Sequence, residues 1–377
     1  MSDICLLTNK PAPYRLPVFE KINEYQNLTV KFLNHIGNAR HWSPRLSDYS
    51  FDYEFLNVGK PLSIQINDRL LSVFSDKSYD VCIIGESPTY SPALLYVMHK
   101  AKKINLPVVV WTEGIDTETG FPVGISDTLW NISRRAYDVT IRRWNYFFSD
   151  LFVAYSGDMT KQFLETRGVD EDKIQTGMQV MPQSLLGSKQ GAEYSKDTYT
   201  ILYLGYLRQK KGIDVLIDAY KEIQFPDTEL IIAGDGPDKN RLQSYASNSD
   251  SIRFTGFVSG DLKWKLYRTA DLFILPTFYD TWGLAVNEAL FFETPTITTT
   301  AAGASQLVRE NNVGTVVPPR DVGQLRDAIV EILQSSELQL TYEHNASACD
   351  MAWDPEVGAA PFLKIISRIS EQNQRSR

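Results

Sequence analysis

Two carboxylates, Asp280 and Glu288, stand eight residues apart in YDTWGLAVNEAL. The run before them, ADLFILPT, reads as a buried strand that delivers the chain to its carboxyl end. Trp282 and Gly283 form a turn, and LAVNEALFFE then reads as a helix that stops before Pro295. A helix starting there leaves the N–H groups near Gly283, Leu284 and Ala285 without intrahelical partners. Free N–H groups and the helix dipole favour an anion such as phosphate. Glu288, about a turn further in, suits the paired hydroxyls of a ribose. Asp280, in the turn, reaches a second polyol at the other end of a diphosphate. Acid, phosphate-binding helix end and acid together suit a nucleotide-sugar. Two acids at this spacing are by themselves ordinary, a helix cap and a solvated side chain, so the weight rests on what accompanies them.

Three features do. YLGYLRQKKGIDVLIDAY places Gly205 in a strand-to-helix turn, with Arg208, Lys210 and Lys211 just after it. Lys211 can meet a diphosphate as a point charge. IIAGDGPDKNRL is a glycine-rich turn after a strand, but neither a GxGxxG dinucleotide fingerprint nor a phosphate-binding GxxxxGK[ST] loop occurs in the chain. TTTAAGASQLVREN offers Gly303 and Ala304 at another turn before a helix, a second candidate anion site.

The elements that must hold these residues alternate. Strands are expected at 3–9, 28–34, 79–86, 106–114 and 150–156, with helices at 16–26, 62–76 and 91–105 between them. After a polar, Gly- and Ser-containing stretch at 183–198, the alternation restarts. The expected architecture is α/β, two Rossmann-like domains with parallel sheets facing an interdomain cleft. The first spans 1–184 and the second 185–354, and a helix from about 355 to 377 packs back on the first. The 377 residues are comfortable for two cores. A net charge of −8 argues against a nucleic-acid partner. The three cysteines lie far apart and indicate neither a disulfide framework nor zinc. No apolar run approaches the roughly 18 residues that a spanning helix needs, and the amino terminus is unlike a secretory signal. The expected location is cytoplasmic.

The ordered set Gly205…Lys211-Gly212, AGDGP, FTGFV, ADLFILPT, YDTWGLAVNEAL…TP and AGASQLV…NNVGTVVPP resembles the carboxyl-terminal half of a retaining family 4 glycosyltransferase of the GT-B fold. It covers roughly residues 199–320. The amino-terminal half is similar more loosely, through TNKPAPYRLPVFEKI. The resemblance implies that Glu288 meets the nucleotide ribose, Asp280 the donor-sugar hydroxyls and Lys211 the diphosphate. It places Trp282, Gly283 and Leu284 at the donor sugar and phosphate, and Phe257 and Val258 against the base. Three departures stand out. The first acid is Asp280, one methylene short of the usual glutamate; Tyr206 replaces an arginine, a role open to Arg208 or Arg15; Gln306 replaces a glutamate.

The implied reaction is transfer of a sugar, with retained configuration, from a nucleoside-diphosphate sugar to a hydroxyl of a glycan or lipid-linked glycan, in cell-surface polysaccharide or glycoconjugate synthesis. No DxD pair stands at a plausible donor site, so neither a metal nor a cofactor is expected. In the first half, Tyr14, Arg15, Glu113 and Asp116 are candidates for acceptor or cleft contacts. The segment 129–148 reads as a basic amphipathic helix, with Trp130, Tyr137, Ile141, Trp144 and Phe148 on one face and Arg134, Arg135, Arg142 and Arg143 on the other. That pattern suits a core-packed helix with a solvated or cleft-facing arginine side, or a helix that lies on an anionic membrane or holds a lipid diphosphate acceptor. The rival readings are a GT-B epimerase or phosphorylase and a non-catalytic nucleotide- or glycan-binding module, the latter motivated by Tyr206 and Asp280.

Overall fold

A computed structural model describes residues 1–35, 44–59, 67–75, 77–87, 90–113, 140, 142–155, 157–181, 186–187, 189, 198–223, 225 and 227–375. The chain divides into two compact units. One is built on Met1–Glu118, Pro122–Met178 and Pro355–Arg377, the other on Gln179–Asp354.

In the first unit the elements run β1 (Asp3–Thr8), α1 (Leu16–Tyr25), β2 (Asn27–Phe32), β3 (Asp52–Phe55), α2 (Asp68–Leu71), β4 (Val81–Gly85), α3 (Ser91–Lys103), β5 (Val108–Thr112), β6 (Leu151–Tyr155), α4 (Gly157–Glu165) and β7 (Ile174–Gly177). The strands form one seven-stranded sheet in the order β3-β2-β1-β4-β5-β6-β7. The ladders are parallel. The central strands β4, β5 and β6 are buried at every position, as a sheet covered on both faces requires. The edge strands β3 and β7 are exposed or half-buried. They carry no apolar run and escape a reading based on hydrophobicity. The helix expected at 62–76 is shorter: among the described residues it is α2 alone, started by the Asn67 side chain accepting from the Leu70 N–H at 2.9 Å.

The second unit holds β8 (Tyr199–Leu204), α5 (Ile213–Lys221), β9 (Thr228–Ala233), α6 (Lys239–Ala246), β10 (Ile252–Gly256), α7 (Gly260–Thr269), β11 (Leu272–Leu275), α8 (Leu284–Phe291), β12 (Thr296–Thr299), α9 (Ser305–Glu310), β13 (Gly314–Val317), α10 (Val322–Gln334) and α11 (Ser336–Ser347). Its six-stranded sheet has the order β10-β9-β8-β11-β12-β13, again with parallel ladders. Of the stretch 183–198, only residues 186, 187, 189 and 198 are described.

The last helix, α12 (Pro355–Arg375), belongs to the first unit and packs on α1 and β7. The Tyr155 hydroxyl donates to the Gly358 carbonyl at 2.9 Å, and Phe362 meets Trp111 edge-on with ring centroids 5.5 Å apart.

Each sheet starts in its middle and grows first one way, then the other. The order therefore reverses between β1 and β4, and between β8 and β11. Connections leave such neighbours in opposite directions and open a crevice at their carboxyl ends. In the second unit the crevice walls are locked by main chain. The Lys210 carbonyl accepts from the Phe278 N–H at 2.8 Å and from the Thr277 hydroxyl at 3.0 Å. Gly212, at φ 65°, ends the turn so close to the other wall that an added Cβ would lie 2.0 Å from the Pro276 oxygen. Replacing Gly212 with Ala is expected to lower stability by about 1–3 kcal/mol through strain and displaced wall. The urea midpoint checks this; an unchanged midpoint contradicts the packing.

Candidate active site

The crevice of the second unit gathers the residues singled out above. Gly205 follows β8, and Lys211 ends the 3₁₀ turn Gln209–Lys211 that leads to α5. Asp280 stands in the loop after β11, a strand paired to β8 through Leu272 with Ile201. The two are bonded: Lys211 Nζ donates to Asp280 Oδ2, with both side chains 17% exposed. The pair aims the Asp280 carboxylate while leaving it partly open to water. Tyr203 beneath it is held protonated by burial and by the charge of Asp280.

Asp280 is fixed on its other side by the backbone. Its N–H donates to the Ala301 carbonyl at 3.0 Å, and its carbonyl accepts from Gly303 N–H at 3.1 Å. The Ala304 N–H donates to the Trp282 carbonyl at 2.8 Å. Gly303 and Ala304 are thus at the site, but their N–H groups hold the acid loop in place instead of facing an anion. Trp282 turns inward. It is 2% exposed, and its indole N–H donates to Asn287 Oδ1 at 2.7 Å. Asn287 in turn donates to the carbonyl of Ala352 at 2.7 Å. The Trp282 side chain is therefore a strut of the turn, and the expectation that it lines the donor pocket is corrected. Its buried N–H needs a partner, and Asn287 provides one.

Gly283 takes φ 101° as it starts α8, a conformation natural to glycine. The Val286 N–H bonds back to the Gly283 carbonyl at 2.8 Å, which leaves the N–H groups of Leu284 and Ala285 as the helix-end donors. Glu288 lies one turn further, 7% exposed. Two residues of α7 hold it. Lys263 Nζ donates to Oε1 at 2.5 Å, and the Tyr267 hydroxyl donates to Oε2 at 2.8 Å. Burial and the Glu288 charge keep Tyr267 protonated. Neither partner was singled out in the sequence, although residues four apart on one helix share a face. A carboxylate oxygen accepts more than one bond, so both oxygens remain usable by a diol.

Arg208 lies beside the site with its guanidinium 5.3 Å from the Tyr206 ring centroid. Tyr206 itself is exposed. Past β10, Phe257 is 54% exposed and Val258 buried. Phe257 therefore presents a face to solvent while Val258 anchors the segment. The Gln306 side chain donates to Glu310 at 2.8 Å.

Residues 188–348 match the model of the family described as glycosyl transferases group 1. The match falls within the second unit and covers less than half of the chain. The chain is 29% identical over 228 residues to a phosphatidyl-myo-inositol mannosyltransferase of Mycobacterium leprae, an alignment covering 59% of this chain and 60% of that protein. It is 28% identical over 156 residues to an alpha-D-kanosaminyltransferase of Streptomyces kanamyceticus, covering 40% of each. The chain thus spans less than two thirds of the length of these relatives. Among solved structures, Anabaena Alr3699/HepE, crystallised with UDP, superposes with a TM-score of 0.72 at 16% identity over 97% of this chain and 100% of that one, which is a likeness of fold.

Outside the group 1 segment, the first unit has its own crevice between β1 and β4. Arg15, after β1, pairs with Glu113, after β5. The guanidinium rests 4.5 Å from the Trp111 ring centroid and 5.3 Å from that of Tyr14. Arg15 Nε and Trp111 Nε1 are buried and make no hydrogen bond among the described residues. Asp116 lies outside the described residues, as do Trp130, Arg134, Arg135, Tyr137 and Ile141.

For the rest of 129–148, Arg143 is exposed and Phe148 half-buried against the core, as expected, but the placements of Arg142 and Trp144 are corrected. Arg142 is buried, 6% exposed, and its Nε donates to Glu86 Oε1 at 2.5 Å. The Thr112 hydroxyl donates to the other Glu86 oxygen. Trp144 is instead 52% exposed, next to Phe147 at 77%. The buried acid after β4 needs a cation, and this outweighs the helical-wheel pattern. Replacing Arg142 with Met strands Glu86 and is expected to cost about 3–5 kcal/mol. Guanidinium unfolding of the variant checks it; a loss below about 1 kcal/mol means that the pair is not the cluster's anchor.

Proposed function

We propose that this protein is a retaining glycosyltransferase that moves a sugar from a nucleoside-diphosphate sugar to a hydroxyl of a glycan or lipid-linked acceptor in cell-surface glycoconjugate synthesis. One observation carries the reading. The crevice within the group 1 match sets two charge-paired acids, Lys211–Asp280 and Lys263–Glu288, on either side of a helix start. In this reading Glu288 accepts the ribose hydroxyls and Asp280 those of the transferred sugar. The diphosphate lies between them, toward the N–H groups of Leu284 and Ala285. As the sugar–phosphate bond breaks, charge builds on the leaving diphosphate, and fixed cations and N–H dipoles stabilise it without reorganising. An oxygen of that diphosphate takes the proton of the attacking hydroxyl on the same face, which gives retention without a covalent carboxylate intermediate. No metal is needed in this scheme. The first unit's Arg15–Glu113 pair, with Tyr14, belongs to the acceptor or to the rim of its site.

The name of the mycobacterial relative supports keeping lipid-borne acceptors in the substrate class. No helix among the described residues is long and apolar enough to cross a membrane. Exposed Trp144 and Phe147 next to Arg143 suit peripheral contact with an anionic cytoplasmic leaflet.

The decisive experiment is a thermal-shift panel with UDP, GDP, ADP, dTDP and CMP, followed by the matching nucleotide-sugars. One selective ligand is expected to raise the melting temperature, because it binds only the folded state. Glu288→Ala is expected to abolish the shift and to lower turnover by about 100-fold or more. Turnover unchanged in that variant defeats the assignment of Glu288. Selective binding with no turnover on any acceptor favours the non-catalytic module. The membrane contact is checked by co-sedimentation with anionic vesicles. The wild type is expected to pellet and a Trp144→Ala, Phe147→Ala double variant to stay in solution; a wild type that stays in solution removes the contact.

A further inference from the structure

The sheet of the first unit sets two cysteines side by side that lie far apart in the chain. Cys5 on β1 and Cys82 on β4 are register partners in a parallel ladder. Register partners point to the same face of a sheet, and both thiols belong to one core cluster, each 0% exposed. They also bond to each other. Burial and the bond to Cys5 hold the Cys82 thiol protonated, so its S–H donates to the Cys5 sulfur. On the next strand, β2, Lys31 is 3% exposed, and its ammonium pairs with Glu54 of β3 at 2.8 Å. Burial disfavours the Lys31 charge, but the Glu54 bond and the nearby Cys5 sulfur and Tyr79 ring raise its pKa. The thiolate is the reactive form of cysteine, and a neighbouring lysine favours it, whereas a thiol in wholly apolar surroundings is inert. Cys349 belongs to the second unit, and burial pushes its thiol up to about 11.

The cluster that holds both thiols includes Leu70 and Val73, on and just after α2, with Phe74 and Tyr79 only partly buried against it. Helix α2 has four residues. A single turn of helix opens locally more readily than a long one, which admits a small oxidant. We propose that Cys5 and Cys82 form a redox-active dithiol site that a peroxide converts to a disulfide. Cys5, beside Lys31, is the attacking sulfur. It breaks the O–O bond, becomes a sulfenic acid and releases hydroxide, which takes up the proton that Cys5 gave away. The Cys82 sulfur then displaces the sulfenic oxygen as water. In sum, two thiols and one hydrogen peroxide give one disulfide and two waters, and the two electrons that the sulfurs lose reduce the peroxide. Neighbouring strands about 4.8 Å apart bring the two Cα atoms within the range that a disulfide spans. The bond ties β1 to β4 at the reversal point of the first sheet. None of this depends on the transfer reaction above.

The test treats the native full chain with hydrogen peroxide, at a dose that oxidises the exposed Met351. The protein is then unfolded in iodoacetamide and mapped by mass spectrometry, with and without later dithiothreitol. The expected product lacks two hydrogens and yields a linked Cys5–Cys82 peptide pair, with Cys349 alkylated as a free thiol. Dithiothreitol is expected to restore both thiols. With dimedone present during oxidation, Cys82→Ala is expected to carry an adduct on Cys5, because the sulfenic acid has lost its partner, and Cys5→Ala to carry none on Cys82. The wild-type map decides the pairing even where a variant fails to fold. Cys5 and Cys82 both alkylated after that dose, or a disulfide through Cys349, overturns the proposal. So does sulfinic acid on Cys5 beside a free Cys82. An adduct on Cys82 in Cys5→Ala, with none on Cys5 in Cys82→Ala, overturns the assignment of Cys5 as the attacking sulfur.

Discussion

The second unit depends on a lock made by backbone across the reversal point of its sheet. Strands β8 and β11 are neighbours in space, yet about seventy residues separate them along the chain. Their following loops leave in opposite directions, so nothing in the sheet itself holds the crevice between them to one width. The Lys210 carbonyl, gripped by Phe278 and Thr277, and Gly212, seated against Pro276, set that width. Every side chain assigned to the site then inherits its position from one of the two walls. Main-chain contacts suit this task because they are indifferent to the side chains above them, which are left free for chemistry.

Charge compensation is the second theme. Each acid in the crevice has its own lysine from a different segment, Lys211 for Asp280 and Lys263 for Glu288. The first unit repeats the logic with Arg15 for Glu113 and Arg142 for Glu86. The four pairs differ in access to water. Glu86 and Arg142 are nearly sealed, so their pairing serves architecture, since one stranded buried charge is costly. The Asp280 and Lys211 side chains retain access and can exchange partners with a ligand.

Much of the candidate site was legible as a sequence because its signals are local. ADLFILPT, the turn at Gly283 and the helix before Pro295 are consecutive, and burial and backbone sterics act over that range. Edge strands β3 and β7 were not legible. A strand covered by few neighbours needs no apolar run, and DYEF and IQTG offer none. Trp282 was placed at the donor by resemblance alone, and Asn287 five residues on could be recognised as its side-chain partner only with α8 in place. Arg142 was misread because helical periodicity places it with the other arginines, and the acid that draws it inward lies on β4's loop, far away in the chain.

What the sequence determined by itself was the alternation of strands and helices, the two α/β units and the short segments from which Asp280, Glu288, Gly205 and Lys211 project. These follow from periodicity, turn chemistry and residue type, each written within a few neighbouring positions. Tertiary structure decided which charges meet. It joined Lys211 to Asp280, brought Lys263 and Tyr267 to Glu288, and engaged the N–H groups of Gly303 and Ala304 in holding the acid loop. The reason is physical: an ion pair requires two charges within a few ångströms, and in a parallel sheet that distance is set by strand order and crossover, which no local pattern encodes.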